Sequence, residues 1–194
     1  MSDSWDDYAG DWDSDKDVIL YSEEAFKSLS NIIQLNGLNI LDFGCGTGLL
    51  TEKMAPHANR VVALDTSLKM LKVLVDKNLP NVTVIPRPLS EELVAENELL
   101  QSKFDLIVAS SVCSFLTDYE SVLSLIKSLL VPGGTFVQWD WLTLEKGLDF
   151  GLTEEIIDAA FKKAGFSSSS ITQSFSLSSS RGSMPVLMGV AKNI

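Results

Sequence analysis

Residues 39–50 read NILDFGCGTGLL. An apolar run closes on Asp42 and Phe43, glycines follow at positions 44, 46 and 48, and Leu49-Leu50-Thr51-Glu52-Lys53-Met54 comes next. The first part has the unbroken apolar character of a buried strand, and the last part has the composition of a helix start. A strand feeding a helix through alternate glycines lets backbone come close to a ligand, because no side chain stands between them. The stretch therefore predicts a strand–turn–helix unit whose turn is a binding site.

Working outward, strand and helix patterns alternate. Helices are expected over 17–35 (cap Ser22; Phe26, Leu29 and Ile33 on one face), 48–58 (stopped by Pro56), 67–79 (cap Ser67) and 90–101. Two more are expected over 118–130, closed by Pro132-Gly133-Gly134, and 153–166, with Thr153 as cap and Gly165 as stop. Strands are expected over 38–43, 60–65, 81–86, 103–112 and 135–141, then over 170–177 and 185–193 with no helix between. The serines at 167–170 and 178–180 read as loops flanking the sixth strand. Alternation predicts an α/β fold: a three-layer, doubly wound sheet of about seven strands, mostly parallel, with an antiparallel C-terminal hairpin.

The chain has 194 residues, 45% of them hydrophobic, and a positive mean hydropathy. One domain over 1–194 is expected, with 1–36 an acidic cap or lid and 37–194 the ligand-binding core. No apolar run approaches the roughly 20 residues that cross a bilayer, so no membrane partner is expected. The first residues carry neither a basic nor an apolar leader pattern, and two cysteines are too few for a disulfide framework. The expectation is a cytoplasmic protein without a metal site. Net charge is −11, and the first 17 residues hold seven aspartates against one lysine. That field repels polyanions, so nucleic acid is not an expected partner, whereas a cationic ligand is favoured.

The ligand itself can be narrowed. In a doubly wound sheet ligands sit beyond the carboxyl ends of the strands, where strand order reverses. Asp65 ends the second strand 21 residues after Gly44, a spacing suited to a carboxylate that accepts from ribose hydroxyls. A dinucleotide turn needs G-x-G-x-x-G, but here the glycines form G-x-G-x-G and Leu49 stands where the third would be. Asp42, just ahead of the turn, would repel a pyrophosphate and attract an ammonium or sulfonium. Adenosine at one end and positive charge at the other describe S-adenosylmethionine.

These residues carry a resemblance to a known family. ILDFGCGTGLLT is similar to the first motif of class I S-adenosylmethionine-dependent methyltransferases, VVALDTS to their second, and FDLIVAS with LLVPGGTF to the later part of their sheet. The resemblance implies a Rossmann-like methyltransferase fold in which Asp42 anchors the methionine amino group. It further implies that Gly44 and Gly46 let the cofactor lie on backbone, with Cys45 a small residue beside it. Asp65 would hold the ribose and Thr66 or Ser67 would flank adenine, while Ala109 and Ser110 face the methionine portion. Where many members have an acidic residue after the third strand this chain has RPLSEE, so Leu89, Glu91 or Glu92 would meet the adenine.

Trp5, Tyr8, Trp12 and Tyr21 are aromatics in an acidic segment that need burial somewhere. The pattern WDxYAxxWD resembles the N-terminal lid of related methyltransferases. Tyr8, Trp12 and Tyr21 are accordingly assigned to a lid or acceptor pocket, together with Trp139 and Trp141 at the end of the fifth strand. Asp140 between them is the candidate general base. His57 reads as a surface residue. The expected function is methyl transfer from S-adenosylmethionine to a small-molecule O, N or S acceptor, releasing S-adenosylhomocysteine. The alternatives are an NAD-dependent oxidoreductase on a similar sheet and a non-catalytic S-adenosylmethionine-binding protein.

Overall fold

A computed structural model describes residues 5–143, 151–179 and 182–194. Among them the strands are β1 (Asn39–Phe43), β2 (Arg60–Leu64), β3 (Val82–Ile85), β4 (Phe104–Ser110), β5 (Leu130–Trp141), β6 (Ser168–Ser179) and β7 (Gly182–Asn193). They form one sheet in the order β3-β2-β1-β4-β5-β7-β6. The pairings from β3 to β5 are parallel, and β7 runs antiparallel to both β5 and β6. The mostly parallel sheet and its reversed C-terminal pair match the expected fold class.

The central strands are buried on both faces, which explains their unbroken apolar sequence. Alternate residues serve opposite cores. Leu41, Phe43, Ile107 and Ala109 pack with Leu123, Ile126 and Phe161 on one side. Ile40, Leu106 and Val108 pack with Ala25, Leu29 and Met54 on the other. Full burial of side chains of this size stabilises by roughly 1.5–3 kcal/mol each.

The helices are α1 (Lys16–Ile32), α2 (Leu49–Met54), α3 (Leu68–Asp76), α4 (Glu91–Glu96), α5 (Glu98–Gln101), α6 (Tyr119–Leu129) and α7 (Glu154–Lys163). Ser67 and Thr153 cap α3 and α7 as expected, accepting from Met70 and Ile156 N–H. The cap of α1 is Asp15 rather than Ser22. The Asp15 side chain accepts from the N–H groups of Asp17 and Val18, while the Ser22 hydroxyl donates to Ile19 O within the helix. Ile33 lies just past the helix end in extended backbone.

The helix expected over 90–101 is two helices, because Asn97 breaks out to φ −106, ψ 110 and its side chain caps Leu99 N–H. Pro132-Gly133-Gly134 is not a closing turn but part of β5, opposite the register shift between Phe104 and Leu106. A proline is accommodated where the ladder is irregular. Ser168, Ser169, Ser170 and Ser178 belong to edge strand β6 rather than to loops; Ser180 lies outside the described residues.

Candidate active site

Strand order reverses between β1 and β4, which leaves a crevice at their carboxyl ends. A cavity of about 590 Å³ occupies it, well within the size range of small-molecule sites. Asp42, Phe43 and Gly44 reach it from β1, Leu64 and Asp65 from β2, Ser110 and Ser111 from the end of β4, and Trp141 from β5.

The glycine turn is built for close approach. Gly44 has φ +71, and a Cβ there would lie 2.4 Å from Val112 Cγ2; Gly48 has φ +81, and a Cβ there would lie 2.3 Å from Leu74 Cδ1. An L-residue would pay twice, in left-handed strain and in overlap. The turn is pinned to β2 because Gly44 and Cys45 N–H both donate to Leu64 O. The Cys45 thiol sits in the cavity wall, and burial pushes its pKa well up, which leaves it a poor nucleophile.

Two carboxylates mark the ends of this turn. Asp42 is 1% exposed and accepts from Thr51 Oγ1 at 2.5 Å. Burial pushes its pKa up to about 7, against the pull of the Thr51 hydroxyl and with a smaller push from Asp65. Asp65 accepts from Gly46 N–H through Oδ2 and from Ser67 N–H through Oδ1, both at 2.8 Å. Each oxygen keeps a lone pair free for a ligand hydroxyl. Thr66, Met70, Pro88 and Leu89 wall the same end of the cavity.

The acidic N-terminal segment closes the crevice as a strap. Single 3₁₀ turns at Trp5–Asp7 and Trp12–Ser14 place Trp5 and Trp12 in the cavity wall, with Trp12 Nε1 4.0 Å from where a Gly46 Cβ would stand. Trp5 packs edge-on against Phe115 at 5.2 Å and against Trp12 at 6.0 Å. The strap's aspartates latch it down. Asp6 accepts from Ser67 Oγ at 2.5 Å and Lys69 N–H at 3.2 Å, and so adds a second cap to α3. Asp13 accepts from Thr47 Oγ1 at 2.5 Å and pairs with Lys77 at 2.9 Å; Lys77 also holds Glu52. The acidity of the segment thus has specific partners on the glycine turn and on α3.

Tyr21 and Trp141 pack with their rings tilted by 57° and centroids 5.1 Å apart, in a cavity wall that also includes Phe115, Leu116 and Val122. Tyr21 is 6% exposed, and its hydroxyl, near Ser111, has no hydrogen-bond partner.

Several expected site residues stand elsewhere. Ala109 is buried on the opposite face of the sheet, and the wall is made instead by Ser110 and Ser111, the latter at φ +58. Trp139 is fully buried in the core, its Nε1 donating to Ser28 Oγ at 2.9 Å. Tyr8 packs on Trp5 and Trp12 from outside and is not among the cavity residues.

Asp140 is fully buried and does not line the cavity. Its Oδ1 accepts from Ser114 N–H and its Oδ2 from Gln138 Nε2, both at 3.0 Å. Gln138 in turn accepts from Tyr119 OH. Burial lifts the Asp140 pKa to about 7 against these donors. In this arrangement Asp140 fixes the Cys113–Phe115 turn and has no open path to a substrate.

Sequence reading missed Asp17, Thr47, Met70, Val112, Phe115 and Asp118 in the wall. They come from loops and helix starts that carry no motif. His57 stacks on Phe26 and takes no part in the site. Among the described residues no cluster of three or more His, Cys, Asp or Glu is placed to hold a metal, and no helix is long and apolar enough to cross a membrane.

Residues 41–136 match the family model of a methyltransferase domain. An uncharacterised methyltransferase of Schizosaccharomyces pombe is 30% identical over 129 residues, 63% of this chain and 45% of that protein. The ubiquinone biosynthesis O-methyltransferase of Xanthomonas euvesicatoria is 32% identical over 128 residues, 63% of this chain and 52% of that protein. The chain thus spans about half the length of these curated relatives. The fold also matches magnesium protoporphyrin IX methyltransferase from Synechocystis, solved with bound S-adenosylmethionine. That match has a TM-score of 0.66 at 19% identity, over 90% of this chain and 79% of that one.

Proposed function

The chain belongs to the class I S-adenosylmethionine-dependent methyltransferase family, and we propose that it transfers a methyl group to an O, N or S atom of a small-molecule acceptor. The observation that carries this reading is a single cavity that runs from the Asp42–Asp65 cradle to an aromatic compartment under a latched strap. A macromolecular acceptor would have to lift that strap, and the strap's negative charge disfavours nucleic acid.

The residues fit the cofactor in shape and charge. Gly44 and Gly46 remove side chains from its path, and buried Asp42 offers a counter-charge to an ammonium. Asp65 offers lone pairs to the ribose hydroxyls, and Met70 and Leu89 offer apolar surface to a base. Bound there, S-adenosylmethionine supplies a methyl group already activated by the sulfonium. The chain's contribution is alignment: the Tyr21–Trp141 wall and the Trp5–Phe115 pair hold an acceptor in line, and the strap excludes water. Pre-alignment of this kind supplies effective molarities on the order of 10⁵ M or more. Asp140 receives no proton-transfer role; it positions the turn that carries Phe115.

The test is thermal unfolding with S-adenosylmethionine, S-adenosylhomocysteine or NAD, then S-adenosylhomocysteine release across a panel of phenols, amines and thiols. A ligand at a hundred times its Kd stabilises by about 2.7 kcal/mol, or roughly 5–10 °C for a chain of this size. A rise with the first two and turnover of a small acceptor is expected. A rise with NAD alone, or turnover only of protein or nucleic acid, would overturn the reading.

A further inference from the structure

Away from the glycine turn, Trp5, Trp12, Tyr21, Phe115 and Trp141 bring aromatic rings to the cavity wall. They belong to two series of touching rings. Phe175 packs edge-on against Tyr21 at 5.2 Å, and Tyr21 packs against Trp141 at 5.1 Å. Trp12 packs edge-on against Trp5 at 6.0 Å, and Trp5 packs against Phe115 at 5.2 Å. The first series draws on β6, α1 and β5, and the second on the strap and the turn after β4. Their convergence on one cavity is therefore set by the tertiary fold and not by any one element.

The last ring of each series is held from behind. The Tyr21 hydroxyl is buried beside Ser111, so what Tyr21 offers Trp141 is its ring. Phe115 rides on the turn that Asp140 fixes through Ser114 N–H. Rings already held in place lose little freedom when a ligand settles on them. A second observation is that the outer series stays partly uncovered: Phe115 is 44% exposed and Trp5 39%. Large apolar surface left in water at a cavity wall gains when a ligand covers it.

The angles then discriminate among apolar ligands. Phe115 stands at 85° to Trp5, and Trp141 is tilted by 57° to Tyr21, so the wall mixes ring edges with ring faces. A flat π-system can meet such rings edge-to-face or offset, whereas a saturated ring gains only the burial of its area.

We infer that the methyl acceptor is a flat aromatic compound, and that Phe115 and Trp141 select it over a saturated ring of equal carbon count. The inference rests on the methyl-transfer reading and names its substrate class.

The test uses the full chain saturated with S-adenosylhomocysteine, so that recognition is measured without turnover. Binding of 2-naphthol and of decahydro-2-naphthol is titrated by calorimetry. The first should bind with a Kd below about 1 mM, and about tenfold or more tighter than the second. Phe115→Leu and Trp141→Leu keep apolar bulk and remove a ring. Each should lower that ratio about two- to tenfold with S-adenosylhomocysteine affinity retained. A ratio near one, no binding of 2-naphthol below about 1 mM, a ratio unmoved by both variants, or a fall seen only alongside lost S-adenosylhomocysteine affinity would overturn the inference. Failure of S-adenosylhomocysteine to bind the unaltered protein would instead overturn the cofactor reading on which it rests.

Discussion

Cofactor affinity should depend on pH through Asp42. The carboxyl is buried against Thr51, with a pKa of about 7 where an exposed aspartate has 3.8. A raised acid pKa means that the folded protein holds this proton more tightly than the unfolded chain does. The stability tied to Asp42 is therefore present below 3.8 and lost as pH rises through about 7. Three units correspond to an order of magnitude of about 4 kcal/mol. An ammonium placed beside Asp42 supplies the missing counter-charge and expels the proton. From about pH 7.5 to about pH 5.5 the ionised fraction of such a group falls from about 0.76 to about 0.03, so Kd should rise about 25-fold. Calorimetry of S-adenosylhomocysteine in two buffers of different ionisation enthalpy measures both the affinity and the protons released. Release should approach one per site at the acid end, and Asp42→Asn should abolish the dependence. A flat Kd, or the same slope in Asp42→Asn, would refute the reasoning. The second result would move the effect to another group such as Asp140.

Three further outcomes follow from the geometry. Gly48→Ala, forced to φ +81 with its Cβ against Leu74, should lower stability by about 1–2 kcal/mol or more in urea unfolding, whereas Gly10→Ala, with open space around its Cβ, should not. Asp13→Asn removes the Lys77 pair from a partly exposed latch, worth about 0.5–1 kcal/mol, so S-adenosylhomocysteine should leave about two- to fivefold faster in stopped flow. High salt should shrink that difference. Tyr21→Phe deletes an unpartnered buried hydroxyl, so stability in urea unfolding should hold or rise by up to about 1 kcal/mol.

What the sequence disclosed, and what it hid, divides along local and non-local physics. The strand–turn–helix around Gly44–Gly48, the Asp65 strand end and the Ser67 and Thr153 caps were legible because each is set by its own few residues. The strap was legible only as aromatics in need of burial; its latches, Asp6 to Ser67 and Asp13 to Thr47, span dozens of positions. Asp140 looked like a base at a strand end because sequence cannot say which way a side chain faces. Pairing across β5 turned it inward onto Ser114 and Gln138. Ala109 turned into the core while Ser110, one position on, reached the cavity, since a single residue along a strand changes the face presented. The extension of β5 through Pro132 depends on a ladder irregularity against β4, which no local pattern reports.

The strap also has a consequence for the proposed reaction. Trp12 stands over the glycine turn, and Trp5 stands against Phe115 at the far compartment, so one continuous segment bars both ends of a shared chamber. In the proposed reaction, loading of cofactor, entry of the acceptor and departure of both products would then share the opening made when this segment lifts. Because Asp6 also caps α3, each opening leaves that helix start with a weaker cap, and reclosing restores it. The proposed turnover would then run no faster than the strap opens, an event expected on the microsecond-to-millisecond scale of loop motion. In the proposed reading, S-adenosylhomocysteine held by Asp42 and Asp65 would wait on that same opening.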